Sequence, residues 1–314
     1  MRCSDSNPPT NLVPEWVDET TLIGAIDRSG YPLQGVVAEK LIAARFDVTE
    51  EWGFLDKDTD EHRSLDLLAF TRLAEDKDPV VPRLALLIEC KRSIHPYVFF
   101  KRVSDPYTAR FPVITAAVAD IEEERQGVGS RSYPSAPAQM ILNLDSLPFI
   151  TEPPRCASFS QAVLNGAKVN LSGEEPYKNI ILPLVKSLQF RVQLDRPFIR
   201  SDRPVPTLVL CICVLDAPML LVEAPSKAGD PVMTPWIRVL RLEAKQGEKQ
   251  TSHEFFGIDF IHIDALDWLI TENLMPFARE FARRALSLHQ VWKTGGIVKT
   301  MDNIQWDTIR PKKR

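Results

Sequence analysis

The chain has 314 residues, 44% of them hydrophobic and 25% charged, with a formal net charge of −4 at pH 7 and five cysteines. That composition is ample for a packed core and argues against a disordered chain, and the negative balance argues against a uniformly basic nucleic-acid coat. An odd number of cysteines without regular spacing does not make a disulfide framework, and the longest apolar stretch, Leu208 to Val222, is short for a membrane span and interrupted by Asp216 and Pro218.

Residues 1–14 are polar and proline-containing and read as a flexible tail, with residues 15–314 expected to form a single domain. The start of the chain lacks the charged and apolar regions of a signal peptide, so a cytoplasmic location is expected. A helix is expected over Gly35 to Asp47, with Glu39 falling between Ile42, Ala43 and Phe46 on its packed side, an unusual place for an acid. Trp52 to Leu55, Arg63 to Leu73 and Arg83 to Lys91 then read as strands. Asp56 to Glu61 separates the first two, and the polar stretch Glu75 to Pro79 separates the last two.

The third strand carries the most informative pattern in the chain. Leu84 to Ile88 is a continuous apolar run, as in a strand buried on both faces, and it ends in Glu89-Cys90-Lys91. The two-residue period of a strand puts Glu89 and Lys91 on one face and Cys90 on the other. Asp66 stands among apolar residues of the second strand. If the two strands pair, Asp66 and Glu89 approach each other, and two carboxylates there call for a cation between them. Oxygen ligands without sulfur suit Mg²⁺, with Mn²⁺ as a substitute, because such an ion takes one or two carboxylates and keeps several waters.

Residues 105–154, rich in proline, read as an irregular insertion with one short helix near Ala116 to Glu124. Ser158 to Leu164 is expected to open a further helix. Glu174 to Gln189 is a stronger helix, with Pro176 in its first turn and a kink expected at Pro183. Thr207 to Leu215 and Met219 to Glu223 read as strands turned by Asp216-Ala217-Pro218, and Ile237 to Glu243 and Phe255 to Ile263 as two more. Asp264 is expected to cap a helix through Ile270, followed by a helix from Pro276 to about His289. Cys211 and Cys213 share one face of an apolar strand and read as buried core thiols. Two basic stretches stand out: Arg83, Lys91, Arg92, Lys101 and Arg102, and then Arg191, Arg196, Arg200 and Arg203. Lys312, Lys313 and Arg314 make a basic tail.

The order helix, three strands, helix, strand, with Asp66 in the second strand and Glu89-Cys90-Lys91 closing the third, resembles the PD-(D/E)xK nuclease superfamily. The resemblance covers about residues 31–223 and leaves residues 224–314 as elaboration. It implies an α/β restriction-endonuclease-like core, a mixed central sheet flanked by helices. It further implies Mg²⁺ held by Asp66 and Glu89, Lys91 as the family's lysine, and Glu39 at the place of a first-helix glutamate. The residue before Asp66 is Leu65 where the family name has proline. Arg92, His95, Lys101, Gln161, Tyr177 and Lys178 are the implied nucleic-acid contacts.

Hydrolysis of a phosphodiester, in DNA or RNA and with DNA the first expectation, is the activity these residues imply. A homodimer is the simplest arrangement for cutting two strands. Two alternatives stand beside it: a nuclease-fold protein that binds nucleic acid or a protein partner without cutting, and an interaction protein in which the charged cluster is a buried ion-pair network. No Walker A loop, G-x-S-x-G elbow or G-x-G-x-x-G fingerprint is present.

Overall fold

The computed structural model describes residues 4, 6–101, 111–124, 135–196, 202–223, 230–244 and 253–299. Arg102, Arg200 and the basic tail Lys312, Lys313 and Arg314 lie outside them.

Residues 6–17 form neither helix nor strand. The first helix, α1 (Glu19–Arg28), starts where the Asp18 carboxylate accepts the Thr21 N–H at 2.7 Å, and buries none of its residues. Helix α2 (Tyr31–Ala43) begins after Gly30, whose φ of 86° suits a residue without Cβ, and carries a proline in its first turn. It buries Leu33, Gln34, Val37, Ala38 and Leu41. The helix thus starts and ends about four residues earlier than the sequence suggests. Ile42 is 59% exposed, and Glu39 points to solvent rather than inward.

Strands β1 (Asp47–Asp56), β2 (Glu61–Arg72) and β3 (Arg83–Arg92) form an antiparallel meander. Strands β4 (Tyr97–Lys101), β5 (Val113–Thr115), β6 (Asp120–Glu124) and β7 (Ser135–Pro137) follow, then short helices α3 (Ala138–Ile141) and α4 (Pro148–Thr151). The insertion is therefore more regular than expected, and the segment expected to form a helix near Ala116 to Glu124 ends as strand β6. A hairpin of β8 (Arg155–Asn165) and β9 (Lys168–Ser172) replaces the helix expected over Ser158 to Leu164; Gly166, with φ 61°, makes its turn.

A helical turn, α5 (Glu174–Pro176), and a π-helical turn, Tyr177–Ile181, lead into α6 (Leu182–Asp195). The widened turn precedes Pro183, which offers no N–H to the carbonyl four residues back. Next come β10 (Thr207–Asp216), β11 (Met219–Glu223), β12 (Val232–Met233), β13 (Trp236–Ala244) and β14 (His253–His262). The chain then passes through α7 (Leu266–Trp268) and a second π turn, Leu269–Leu274, again ahead of a proline, Pro276. Helices α8 (Met275–Ser287) and α9 (His289–Lys293) and strand β15 (Ile297–Lys299) complete it. His262, not Asp264, caps the helical segment after β14: its ring nitrogen accepts the Asp264 N–H.

The result is an α/β architecture with a large mixed sheet flanked by helices. Its path runs β1-β2-β3-β10-β14-β13-β8-β4-β11-β12, with β3, β10 and β14 parallel at the centre. β15, β6 and β7 form a separate small sheet. β10 and β11 do not pair as a hairpin. Both β3 and β10 bend and continue, as β4 and β11, and the parallel pairing is carried through the bend by Ser93 N–H to Asp216 O at 3.1 Å and Tyr97 N–H to Pro218 O at 2.9 Å. The sheet path therefore returns on the continuations of its own central strands.

β3 packs on both faces, as its apolar run requires. Leu84, Leu86, Ile88 and Cys90 join one core with α2 and α8, and Ala85 and Leu87 join the other with α6, Cys211 and Cys213. The second core also holds the stacked pair Phe99 and Phe159, with Phe260 edge-on to Phe99.

Candidate active site

The ladder between β2 and β3 runs from Arg72–Arg83 to Leu67–Ile88. At the next position the Asp66 side chain, not its backbone, meets β3: Oδ2 accepts the Cys90 N–H at 2.7 Å. The Asp66 carbonyl is taken instead by Nε2 of Gln34, at 3.1 Å. Gln34 is 4% exposed and comes from α2, so helix, second strand and third strand meet at this one residue. On the other side of Asp66, the β1–β2 register passes from Glu50–Leu67 to Trp52–Leu65, and Glu51 between them has φ 48°. A left-handed non-glycine residue inside a strand is strained, and this one sits where β2 turns its carboxylate toward β3.

Glu89 and Lys91 complete the cluster. Lys91 Nζ lies 2.6 Å from Glu89 Oε2 and 3.8 Å from Asp66 Oδ2, so the ammonium bridges the two carboxylates. Glu89 is buried, whereas about a quarter of the Asp66 and Lys91 side chains reaches solvent, which leaves the cluster open on one side. Burial pushes the Glu89 carboxyl up to about 7; Lys91 pulls it down and Asp66 pushes it further up. Burial also opposes the charge on Lys91, but Glu89 and Asp66 outweigh it and hold its pKa above the ordinary value. The two shifts describe one state: a cation held beside a Glu89 that gives up its proton with difficulty.

Cys213 pairs with Glu89 across the β3–β10 ladder, and Cys90 points into the opposite core. Burial raises both thiols, which makes them neutral core groups rather than ligands. Among the described residues no group of three or more His, Cys, Asp or Glu converges on one point. The donor set at Asp66 and Glu89 is therefore two hard oxygens. That fits a divalent ion which keeps most of its own water and does not fit a closed structural cage.

The other expected contacts are dispersed. Glu39 is exposed on α2; Gln34, five residues earlier, is the α2 side chain that bonds Asp66. Arg92 bonds the Asp216 carboxylate at 2.8 Å and the Asp27 carbonyl at 2.8 Å, tying the end of α1 to the strand ends. His95 is half-buried in the bend between β3 and β4, its backbone N–H on Ser93 Oγ. Gln161 donates to the same Ser93 Oγ at 2.9 Å, two residues past Lys91. Lys101 pairs with Glu223 at the far end of β4, and Lys178 with Glu174 at 2.6 Å. Tyr177 bonds Glu243 at 3.3 Å. Of the second basic stretch, Arg191 holds the buried Asp195, whereas Arg196 and Arg203 are exposed, Arg203 bonding the carbonyls of Asp76 and Asp78.

Comparison of the chain with protein-family models, with curated proteins and with solved structures gave no match. Among the described residues no helix is long and apolar enough to cross a membrane.

Proposed function

We propose that the protein is a metal-dependent nuclease, acting first of all on DNA, with a restriction-endonuclease-like core made of α2, β1, β2, β3, α6 and β10. The observation that carries this reading is the convergence of Asp66, Glu89 and Lys91 where β2 stops pairing with β3. The connectivity supports it as well once the segment from β4 to α5 is taken as an insertion: a helix, a three-strand meander, a helix, and a strand parallel to the third.

In this reading Asp66 and Glu89 would hold Mg²⁺, which would supply charge neutralisation at the phosphate and acidity to a bound water. Glu89 is poised for that task, since a buried carboxyl with a pKa near 7 gains from a divalent partner. Lys91, released from Glu89, donates to the attacking water or to the phosphate oxygen on which charge develops. Gln34 and the Cys90 N–H fix Asp66 from both sides and keep its carboxylate aimed at the cluster.

The reading is tested by incubating the purified protein with supercoiled, linear and single-stranded DNA and with RNA, in Mg²⁺, Mn²⁺ or EDTA. Cleavage is expected with metal, lost in EDTA, and reduced at least about a hundredfold in Asp66→Ala and Lys91→Ala. Equal cutting by wild type and both variants sinks the assignment. One observation favours a second reading, a protein of this fold that binds without cutting: the Lys91 ammonium occupies the place between the carboxylates that a metal would need. Salt-sensitive DNA binding with no metal-dependent turnover on any substrate would decide for it.

A further inference from the structure

A cleft of about 450 Å³ is lined by Ser158, Phe159, Gly173, Glu174, Tyr177 and Arg241. Its walls come from β8, β13 and the π turn. The Arg241 guanidinium lies over the Tyr177 ring, 5.2 Å from its centroid. Glu243 fixes both groups: one carboxylate oxygen accepts Arg241 Nε at 3.1 Å, the other the Tyr177 hydroxyl at 3.3 Å. The cleft thus presents a flat ring and a flat cation held in one orientation.

Charge selects the kind of ligand. Each cation at the cleft already has its own acid, Arg241 with Glu243 and Lys178 with Glu174. Among the described residues that line the cleft or border it, no positive charge is left over for a phosphate, while Tyr177 and Arg241 are each partly exposed. A neutral heteroaromatic ring, with edge donors for a carboxylate and a face for stacking, matches what is offered.

Position selects the source of that ring. β8 carries Ser158 and Phe159 at the cleft and, further along, Gln161, which bonds Ser93 just past Lys91. Ser158 to Gln161 is a reach of about 10 Å along a strand. Tyr97, paired with Gln161, is buried in the second core together with Cys213, the cross-strand neighbour of Glu89. The cleft residues Phe159 and Tyr177 therefore pack on the same core as Cys213, the partner of Glu89.

We propose that this cleft takes one unstacked base of a single-stranded nucleic acid, laid against the Tyr177–Arg241 pair, with the strand continuing along β8 toward Asp66, Glu89 and Lys91. The proposal rests on the nuclease reading for its substrate class, but its binding step needs no metal.

The test is fluorescence anisotropy in EDTA, with a short labelled single strand, its duplex, and the same strand carrying a run of abasic sites. Adenosine and guanosine monophosphate serve as competitors. Wild type is expected to prefer the single strand over the duplex and over the abasic strand, each by about tenfold, as the loss of one stacked base implies. Tyr177→Ala and Arg241→Gln should each remove that preference, and Tyr177→Phe should keep it. Arg241 is half-exposed, so its variant covers the case in which Tyr177→Ala fails to fold. Equal binding of normal and abasic strands, an unchanged preference in Arg241→Gln, or competition by free nucleotide as strong as by the strand would each overturn it. Base-dependent binding without metal-dependent cutting would remove the nuclease reading alone; cutting without base-dependent binding would remove the cleft alone.

Discussion

At the scale of single residues, Glu89 is the group on which stability and chemistry pull apart. Below about pH 4.5 it is protonated in folded and unfolded chains alike, and costs nothing. As pH rises toward 7 the unfolded chain ionises first, so stability falls through that window, by about 3 kcal/mol at its end. Metal-free protein should therefore lose melting temperature from about pH 5 to 7.5 relative to Glu89→Gln, which lacks the titration, and the two should converge at the acid end. A constant difference across that range would mean that Glu89 is an ordinary ion-pair partner. Asp66, Glu89 and Lys91 were legible in the sequence because a charge inside an apolar strand, or at its end, is costly unless a partner compensates it. Gln34 was not, although it sits in the stripe Leu33, Val37, Ala38, Leu41; reading the helix about four residues late gave the inward place to Glu39. Glu51 left no trace, because a left-handed φ is a property of the backbone that glutamate does not announce.

At the scale of elements, the antiparallel pair β13–β14, next to the parallel centre, holds a fully buried ion pair. Arg238 on β13 makes a two-pronged contact with Asp259 on β14, at 2.9 and 3.0 Å, and Asp259 also accepts the Trp236 indole N–H at 2.9 Å. The guanidinium lies over Phe111 and Phe149, each 4.8 Å away. Phe111 in turn fills the space where Gly257 has no side chain: a Cβ there would stand 2.4 Å from its ring. Asp259→Ala leaves the arginine buried without a counter-charge and should cost about 3–5 kcal/mol in urea unfolding, far above a surface ion pair. A loss under about 1 kcal/mol would mean that water or another acid reaches Arg238. The three strands of the meander could be read from their apolar runs and the polar loops between them. β8 could not, since Ser158 to Leu164 alternates small, polar and apolar residues that fit either period, and only the turn at Gly166 marks it as half a hairpin. β6 was hidden for a different reason: its partners are β7 and β15, the second from the far end of the chain.

At the scale of the whole molecule, the central strand finds its neighbour late in the sequence. Arg83 pairs with Thr207 and Arg92 with Asp216, and most of the other strands of the first half lie between them. Such distant pairing raises contact order, so refolding from urea, followed by fluorescence of the buried Trp236 and Trp292, is expected in milliseconds to seconds or slower rather than microseconds. Submillisecond recovery of the whole signal would show that these tryptophans bury themselves before β3 and β10 meet. The same layout governs a chain still being made. The ribosome releases Asp66, Glu89 and Lys91 well before β10 and α6, the walls that bury Glu89. Until those arrive, Glu89 is an ordinary solvated acid, and any chemistry that depends on its burial waits for the second half of the protein. A prematurely terminated chain would carry all three charged residues and remain inert.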